Sequence, residues 1–159
     1  MTITDVKKWI IYGFVAAAAL ALMLTAPLLI KPKNVQPTLT YQVGGCVDKS
    51  AGEIMRGQRL PSVVEVSIDD SSVKLLHHLK YVCCADIKVK MEYVGKDGDV
   101  TVIRITEENV GEFCRCICGY DIAMKISDLQ HGKYRIEIYG VKFEDMPIEK
   151  LWEGEVVVG

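Results

Sequence analysis

The sequence lacks the short motifs that mark most cysteine-based cofactor and redox sites. It contains no C-x-x-C pair, which excludes the thioredoxin-type redox unit. No cysteine pair is followed by histidine, so a c-type haem attachment site is excluded as well. Asp97 and Asp99 in the segment GKDGD do not belong to the twelve-residue ligand pattern of a calcium loop, and we interpret them as part of a hairpin turn.

The sequence also has no recognisable set of nucleophile, base and acid. Its three histidines are His77, His78 and His131, and none stands in a motif that pairs an imidazole with a reactive thiol. His131 lies in the turn segment LQHGK, where we expect it to be solvated. His77 and His78 are neighbours in a segment predicted to be a strand, so one should pack inside and the other should be exposed. We therefore predict that the protein is not an enzyme.

A basic surface is missing too. From Tyr41 to the last residue the chain carries 15 basic and 20 acidic residues, a net charge of −5. Because nucleic-acid-binding modules normally present a basic face, this balance argues against a nucleic-acid partner. The same negative charge would not draw the domain onto an anionic membrane surface.

One long apolar segment is present near the start of the chain. Residues 9–30, WIIYGFVAAAALALMLTAPLLI, contain no charged residue, and lysines flank the segment on both sides. A helix of this length spans the hydrocarbon core of a bilayer, which is about 30 Å thick. The segment therefore predicts one transmembrane helix, and the membrane is the first predicted partner.

The alternative for this segment is a cleaved signal peptide. Such a peptide has a shorter apolar region that ends at a small-x-small cleavage site. The end of this segment, LTAPLLIKP, is a poor site because Pro27 follows Ala26. We therefore predict an uncleaved signal anchor, with the chain divided into a short cytoplasmic N-terminus (1–8), a transmembrane helix (9–30), a tether (31–40) and an extracytoplasmic domain (41–159).

The orientation of the anchor is predicted from the cysteines, because the flanking lysines nearly balance. All six cysteines follow the apolar segment: Cys46, Cys83, Cys84, Cys114, Cys116 and Cys118. An even number of cysteines in a small domain is typical of disulfides and of an oxidising compartment. We therefore expect a single-pass protein of the cell membrane with its C-terminal domain outside the cytoplasm. The alternative is the inverted orientation with reduced cysteines.

The extracytoplasmic part shows the two-residue periodicity of half-buried strands. The pattern begins at Ser62 and is clear in SVVEVSID, DIKVKMEYV, DVTVIRIT, YDIAMKIS and YRIEIY, with EGEVVVG as a last strand. Residues 73–82 fit either a strand or a short helix, and we favour a strand. Residues 44–61 predict a long loop or short edge elements. About seven short strands with frequent turns predict an all-β fold, a β-sandwich of the immunoglobulin or fibronectin kind.

A turn before one strand supports this fold class. Leu129, Gly132 and Tyr134 form L-x-x-G-x-Y, which resembles the tyrosine corner of immunoglobulin-like domains, where the hydroxyl bonds to the backbone upstream. We predict that these three residues are structural. The chain departs from antibody domains because no cysteine follows Tyr134 by two residues and no tryptophan lies on a middle strand.

Residues 83–140 as a whole resemble a known group of proteins. They carry a Cys-Cys pair, the run C-x-C-x-C at 114–118 and the L-x-x-G-x-Y turn. This combination is similar to a family of small exported or membrane-anchored bacterial and archaeal immunoglobulin-like β-sandwich proteins with no established activity. The resemblance implies export and the fold, and it implies no chemistry.

The cysteines have two interpretations. As staples, Cys83 shares the inward parity of Ile87 and Val89, and the cysteines of the 114–118 run share that of Ile122. Six cysteines allow 15 pairings. We favour Cys83 and Cys84 each bonding into the 114–118 run with Cys46 taking the remaining cysteine, and we rank a vicinal bond last. As metal ligands for zinc or copper(I), the alternative set is Cys83, Cys84, Cys114, Cys116, Cys118, His77 and His78.

The staple interpretation is preferred because the C-x-C-x-C run has no spaced partner pair of the kind zinc sites show. We therefore predict no cofactor. The favoured function is an interaction or structural module, or an accessory subunit of an envelope complex with a protein partner. The alternative is a membrane-tethered domain for metal binding or thiol redox chemistry.

Overall fold

The computed structural model describes residues 36–51, 62–144 and 147–159. Within them the chain forms nine β-strands and no helix. In chain order the strands are β1 (Thr38–Val43), β2 (Val47–Ala51), β3 (Ser62–Asp69), β4 (Ser72–Val82), β5 (Ile87–Asp97), β6 (Val100–Asn109), β7 (Cys116–Ser127), β8 (Gly132–Lys142) and β9 (Glu149–Val158).

The strands form two sheets. The first sheet has the order β1-β7-β4-β3, and β2 also pairs with β7, whereas the second has the order β5-β6-β8-β9. Neighbouring strands are antiparallel except β6 and β8, which are parallel. This one parallel pair differs from the antiparallel sheets of immunoglobulin domains.

The hydrophobic core takes alternate residues from both sheets. Leu75 and Ile122 represent the two central strands of the first sheet, Ile103 and Ile136 those of the second, and all belong to one buried cluster. Burying each such side chain contributes about 1.5–3 kcal/mol relative to leaving it exposed. The all-β prediction is confirmed at this level, as a fold of two sheets that share one core.

The periodic segments are strands as predicted, including residues 73–82, which lie in β4. The start of the domain differs from the prediction, because β1 begins at Thr38 inside the segment predicted to be a tether and pairs with β7. Leu39 and Val43 are its half-buried apolar residues. Leu39, Tyr41 and Val43 alternate with polar residues, but the predicted boundary between tether and domain, at residue 41, divided this pattern, so the strand was missed.

Edge positions explain two departures from the predicted inward faces. Tyr93 continues the alternation of β5, but it is 58% exposed, and the register with β6 shifts between Tyr93 and Gly95. Val66 and Ile68 keep the parity of the buried Leu75 and Val73 to which they are paired, but both are exposed. β5 and β3 are the outermost strands of their sheets, so parity alone did not bury these side chains.

The predicted membrane helix, 9–30, lies outside the described residues, as do the N-terminal segment 1–8 and the first half of the tether, 31–35. Among the residues that the structure describes, no helix has the length and apolar character needed to cross a membrane.

The L-x-x-G-x-Y turn has the geometry of a tyrosine corner. The hydroxyl of Tyr134 donates a hydrogen bond to the carbonyl of Gln130 at 2.8 Å, and the ring is buried, which raises the pKa of Tyr134. Leu129 is buried beside it, and its backbone N–H donates to Ser71. Gly132 has a φ of 156°, which residues with a side chain rarely adopt.

Tyr134→Phe should destabilise the domain by about 0.5–1.5 kcal/mol, because the ring stays while one hydrogen bond is lost. Urea unfolding of the oxidised protein measures the change. Tyr93→Phe is the matched control, since this exposed ring should lose its hydroxyl at almost no cost. Equal stability of Tyr134→Phe and the wild type would contradict a structural role for this hydroxyl.

Candidate functional site

All six cysteines are joined in three disulfides. Cys83 bonds to Cys116, Cys84 to Cys114 and Cys46 to Cys118. Each member of the Cys-Cys pair is therefore bonded into the C-x-C-x-C run, and Cys46 takes the remaining cysteine, which is the pairing that we favoured among the 15. We call these six residues the cystine cluster.

The ladder between β4 and β7 positions two of the three bonds. This antiparallel pairing runs to Val82, opposite Ile117, so the residues that follow β4 meet those that precede or begin β7. The N–H of Cys83 donates to the carbonyl of Cys116 at 3.0 Å, and their Cα atoms are 5.5 Å apart. This separation lies in the range that a disulfide spans.

The third bond ties the start of the domain to the same strand. β2 pairs with β7 through Val47 and Gly119, so Cys46 reaches Cys118 with a Cα separation of 5.4 Å. Cys118 is 1% exposed, whereas Cys46 is exposed. The bond therefore joins a buried residue to an exposed one.

Sulfur atoms of neighbouring disulfides lie close to one another. The Sγ atoms of Cys114 and Cys116, which belong to different bonds, are 3.6 Å apart. The Sγ atoms of Cys46, Cys83 and Cys118 all lie within 4.8 Å of one another. The three disulfides thus form one contiguous group at one end of the β4–β7 ladder.

The candidate metal ligands that lie close together are not the set predicted from the sequence. Cys46, Cys83 and Cys118 form the one cluster of three candidate ligands found among the described residues, but all three are disulfide-bonded. Zinc and copper(I) bind thiolates, and a disulfide sulfur is not one. Neither His77 nor His78 belongs to this cluster.

The two histidines face opposite sides of the first sheet, one packed and one exposed, as predicted. His77 is fully buried, whereas the partly exposed His78 bonds through Nδ1 to Asp121 at 2.7 Å, with Glu65 3.7 Å from its Nε2. Its hydrogen bond with Asp121 is the main reason that the pKa of His78 is raised, because the carboxylate favours the protonated ring.

His77 reveals a feature that the sequence reasoning missed. Its Nδ1 lies 2.7 Å from Oε1 of Glu107, and both side chains are 0% exposed. His77 belongs to the first sheet and Glu107 to the second, so this pair joins the two sheets inside the core. The alternation of Ile103 and Ile105 extends to Glu107, but the segment predicted to be a strand ended at Thr106.

The neighbourhood of Glu107 is closely packed. A Cβ atom at Gly140 would lie 3.1 Å from the Cβ of Glu107 and 3.3 Å from its Oε2, so glycine leaves room for the carboxylate. Within the described part of the chain, neither Oε2 of Glu107 nor Nε2 of His77 has a hydrogen-bond partner. The two buried groups therefore depend on each other for their polar contact.

Three comparisons were made, with models of protein families, with curated proteins and with solved structures, and none found a match for this chain. The family resemblance inferred from the cysteine motifs therefore stays a prediction.

Glu107→Ala should destabilise the domain by about 1–3 kcal/mol, because it leaves the buried imidazole of His77 without its hydrogen-bond partner. The double variant His77→Leu with Glu107→Leu should lose less than the single one, since it removes both polar groups. Chemical unfolding at neutral pH measures the difference. Glu92→Ala is the control, because the exposed pair with Arg104 contributes at most about 1 kcal/mol. A cost as small as that of the control would show that the buried pair is not coupled.

The His78–Asp121 pair gives a prediction about pH. Because the folded pKa of His78 is raised above its ordinary value of 6.5, its contribution to stability is complete below that value and is lost as pH rises through the folded pKa. Asp121→Asn should shift the His78 titration, followed by NMR, to lower pH. Asp99→Asn, in the turn between β5 and β6, should leave it in place. An unshifted titration in Asp121→Asn would assign the raised pKa to another group.

Proposed function

We propose that this protein presents a disulfide-stapled β-sandwich on the outer side of a cell membrane, held there by the helix predicted for residues 9–30. Its role there is that of an interaction or structural module, such as an accessory subunit of an envelope complex. The observation that carries the proposal is that all six cysteines are disulfide-bonded. Such bonds persist in oxidising, extracytoplasmic compartments and are rare in the cytosol.

The sequence separations of the bonded cysteines support a stapling role. They are 72, 33 and 30 residues. In the chain-entropy model, a disulfide that closes a loop of this size lowers the entropy of the unfolded chain. It thereby stabilises the folded domain by about 3–4.5 kcal/mol. A domain outside the cell gains from such bonds because it is beyond the reach of cytoplasmic chaperones.

The immunoglobulin-like form of the sandwich is part of the same proposal. Two sheets with one shared core support it, and so does the hydrogen bond between Tyr134 and Gln130. The parallel pairing of β6 with β8 marks a variant of that arrangement.

The charged outer face of the second sheet also fits a solvated, extracytoplasmic domain. Its basic side chains are paired across strands with acidic ones, among them Arg104 with Glu92 and Glu137, and Arg135 with Asp97. Glu137 is buried, whereas the pairs with Glu92 and Asp97 are exposed at their acidic ends and each contributes little to stability. Together the pairs neutralise the charge of this face. This arrangement accords with the predicted absence of a nucleic-acid partner.

When intact cells are treated with an external protease, the chain beyond Lys33 should be digested. When the protein is denatured without reduction, a maleimide should label no cysteine. The first result reports orientation and the second reports disulfide bonding. After reduction, the same reagent should label six cysteines.

A cytoplasmic marker protein in the same cells serves as the control for membrane integrity. If the domain resisted protease until the membrane was broken and also carried six free thiols, the inverted orientation would be correct and the proposal would be wrong.

A further inference from the structure

We propose that the cystine cluster is a thiol–disulfide relay. An external dithiol opens the Cys84–Cys114 bond, and two internal exchanges then move the free thiolate to Cys46 at the surface. This inference goes beyond the proposed function and does not depend on the membrane anchor or on a protein partner. It develops the thiol redox alternative in a specific form.

The entry point follows from the surroundings of Cys84 and Cys114. Both residues are half-buried, and the N–H of Cys84 points at Sγ of Cys114 at 3.2 Å. When an external thiolate attacks Sγ of Cys84, Cys114 leaves as a thiolate that keeps this N–H donor. Sγ of Cys84 lies 3.3 Å from the carbonyl of Glu112, which accepts a hydrogen bond from the thiol once Cys84 is released.

Cys46 is the other place where an external thiolate could attack, but attack there is less favourable. Attack on Cys46 would expel Cys118, whose residue is 1% exposed. A thiolate released there would be buried among apolar side chains, and burying a charge without a partner is costly. A better leaving group speeds thiol–disulfide exchange, so the Cys84–Cys114 bond opens first.

The first internal exchange uses the 3.6 Å contact between Cys114 Sγ and Cys116 Sγ. The Cys114 thiolate attacks Cys116, a Cys114–Cys116 bond forms, and the Cys83–Cys116 bond breaks with its electron pair passing to Cys83. The two sulfur atoms already lie at van der Waals distance, so the attacking and attacked atoms are neighbours before the reaction begins. Holding reacting atoms at such a distance strongly accelerates an intramolecular step.

The second exchange transfers the thiolate to the surface. Sγ of Cys83 lies within 4.8 Å of the sulfurs of Cys118 and Cys46. Attack on Cys118 forms Cys83–Cys118, breaks Cys46–Cys118 and leaves the electron pair on Cys46. Because Cys46 is exposed whereas Cys118 is buried, water solvates the thiolate at Cys46, and this direction of attack is favoured.

The electrons balance over the three exchange steps taken together. The second thiol of the external dithiol resolves the mixed disulfide with Cys84, so the reagent leaves as a disulfide and Cys84 becomes a thiol. The protein goes from three disulfides to two, and the internal exchanges neither consume nor release electrons. The products are thiols at Cys84 and Cys46 with bonds Cys114–Cys116 and Cys83–Cys118. The Cys46 thiolate is then available for a mixed disulfide with another molecule.

The relay is tested with the full-length protein bearing Cys84→Ser, which leaves one cysteine unpaired. The protein is quenched with N-ethylmaleimide, digested without reduction and mapped by mass spectrometry. The expected label at Cys46 is at least as high as that at Cys114, with peptides joined through Cys114–Cys116 and Cys83–Cys118. Label on Cys114 alone, with Cys83–Cys116 and Cys46–Cys118 intact, would overturn the relay.

The matched control adds Cys83→Ser and Cys116→Ser to Cys84→Ser, which removes the middle disulfide. The label should then stay on Cys114 and be absent from Cys46. Equal labelling of Cys46 in the control would show that the thiol reaches it without the middle bond, and it would also overturn the proposal.

A second measurement on the wild-type protein does not depend on how these variants fold. The oxidised protein receives one equivalent of dithiothreitol and is quenched at successive times. Label at Cys114 should appear first and decline, and label at Cys46 should replace it, while Cys84 stays labelled. Persistent labelling of Cys84 with Cys114, or of Cys46 with Cys118, would mean that bonds are reduced singly without exchange.

Discussion

The register between β4 and β7 is the constraint on which the rest of the structure depends. The ladder pairs Val73 with Ile126 at one end and Val82 with Ile117 at the other. Because side chains alternate between faces, a slip of one residue would move His77 out of the core and turn the apolar residues of β4 towards water. It would also separate Cys83 from Cys116. The core, the buried ionisable pair and the cystine cluster therefore rest on one alignment.

The disulfides and the non-covalent contacts of the domain hold different parts of it together. Two disulfides join the residues that follow β4 to Cys114, just before β7, and to Cys116, at its start. The third joins Cys46, just before β2, to Cys118 in β7. All three therefore lie along the first sheet. The B–F disulfide of antibody domains instead crosses between sheets. Here the sheets are held together by the apolar core and by the contact of His77 with Glu107. Replacing Glu107 therefore weakens a link that no disulfide can maintain.

Sequence periodicity was sufficient for the elements with long alternating faces and insufficient elsewhere. β5 to β8 were predictable because several apolar residues of each strand share one parity, whereas residues 73–82 of β4 fitted either a strand or a short helix. The same parity placed Cys83 and the 114–118 run on the inward face, but it left the partners of Cys84 and Cys46 open. β1 was missed because the predicted tether ended inside it, and for β2 the prediction left a long loop or short edge elements open. Both strands depend on β7 for pairing. The parallel pairing of β6 with β8 was also out of reach, since a two-residue period describes faces and not neighbours. Glu107 was missed because a carboxylate is not expected on an inward face.

The proposed relay would couple the redox state of the cluster to the order of one strand. β2 is held to β7 by a few residue pairs with an irregular register, and by the bond of the adjacent Cys46 to Cys118. Once the relay has moved the free thiolate to Cys46, that bond is gone and only the short ladder remains. Strands with few backbone pairs open at low free-energy cost. Reduction at Cys84 would thus loosen the chain around Cys46 and give its thiolate room to react with a second molecule.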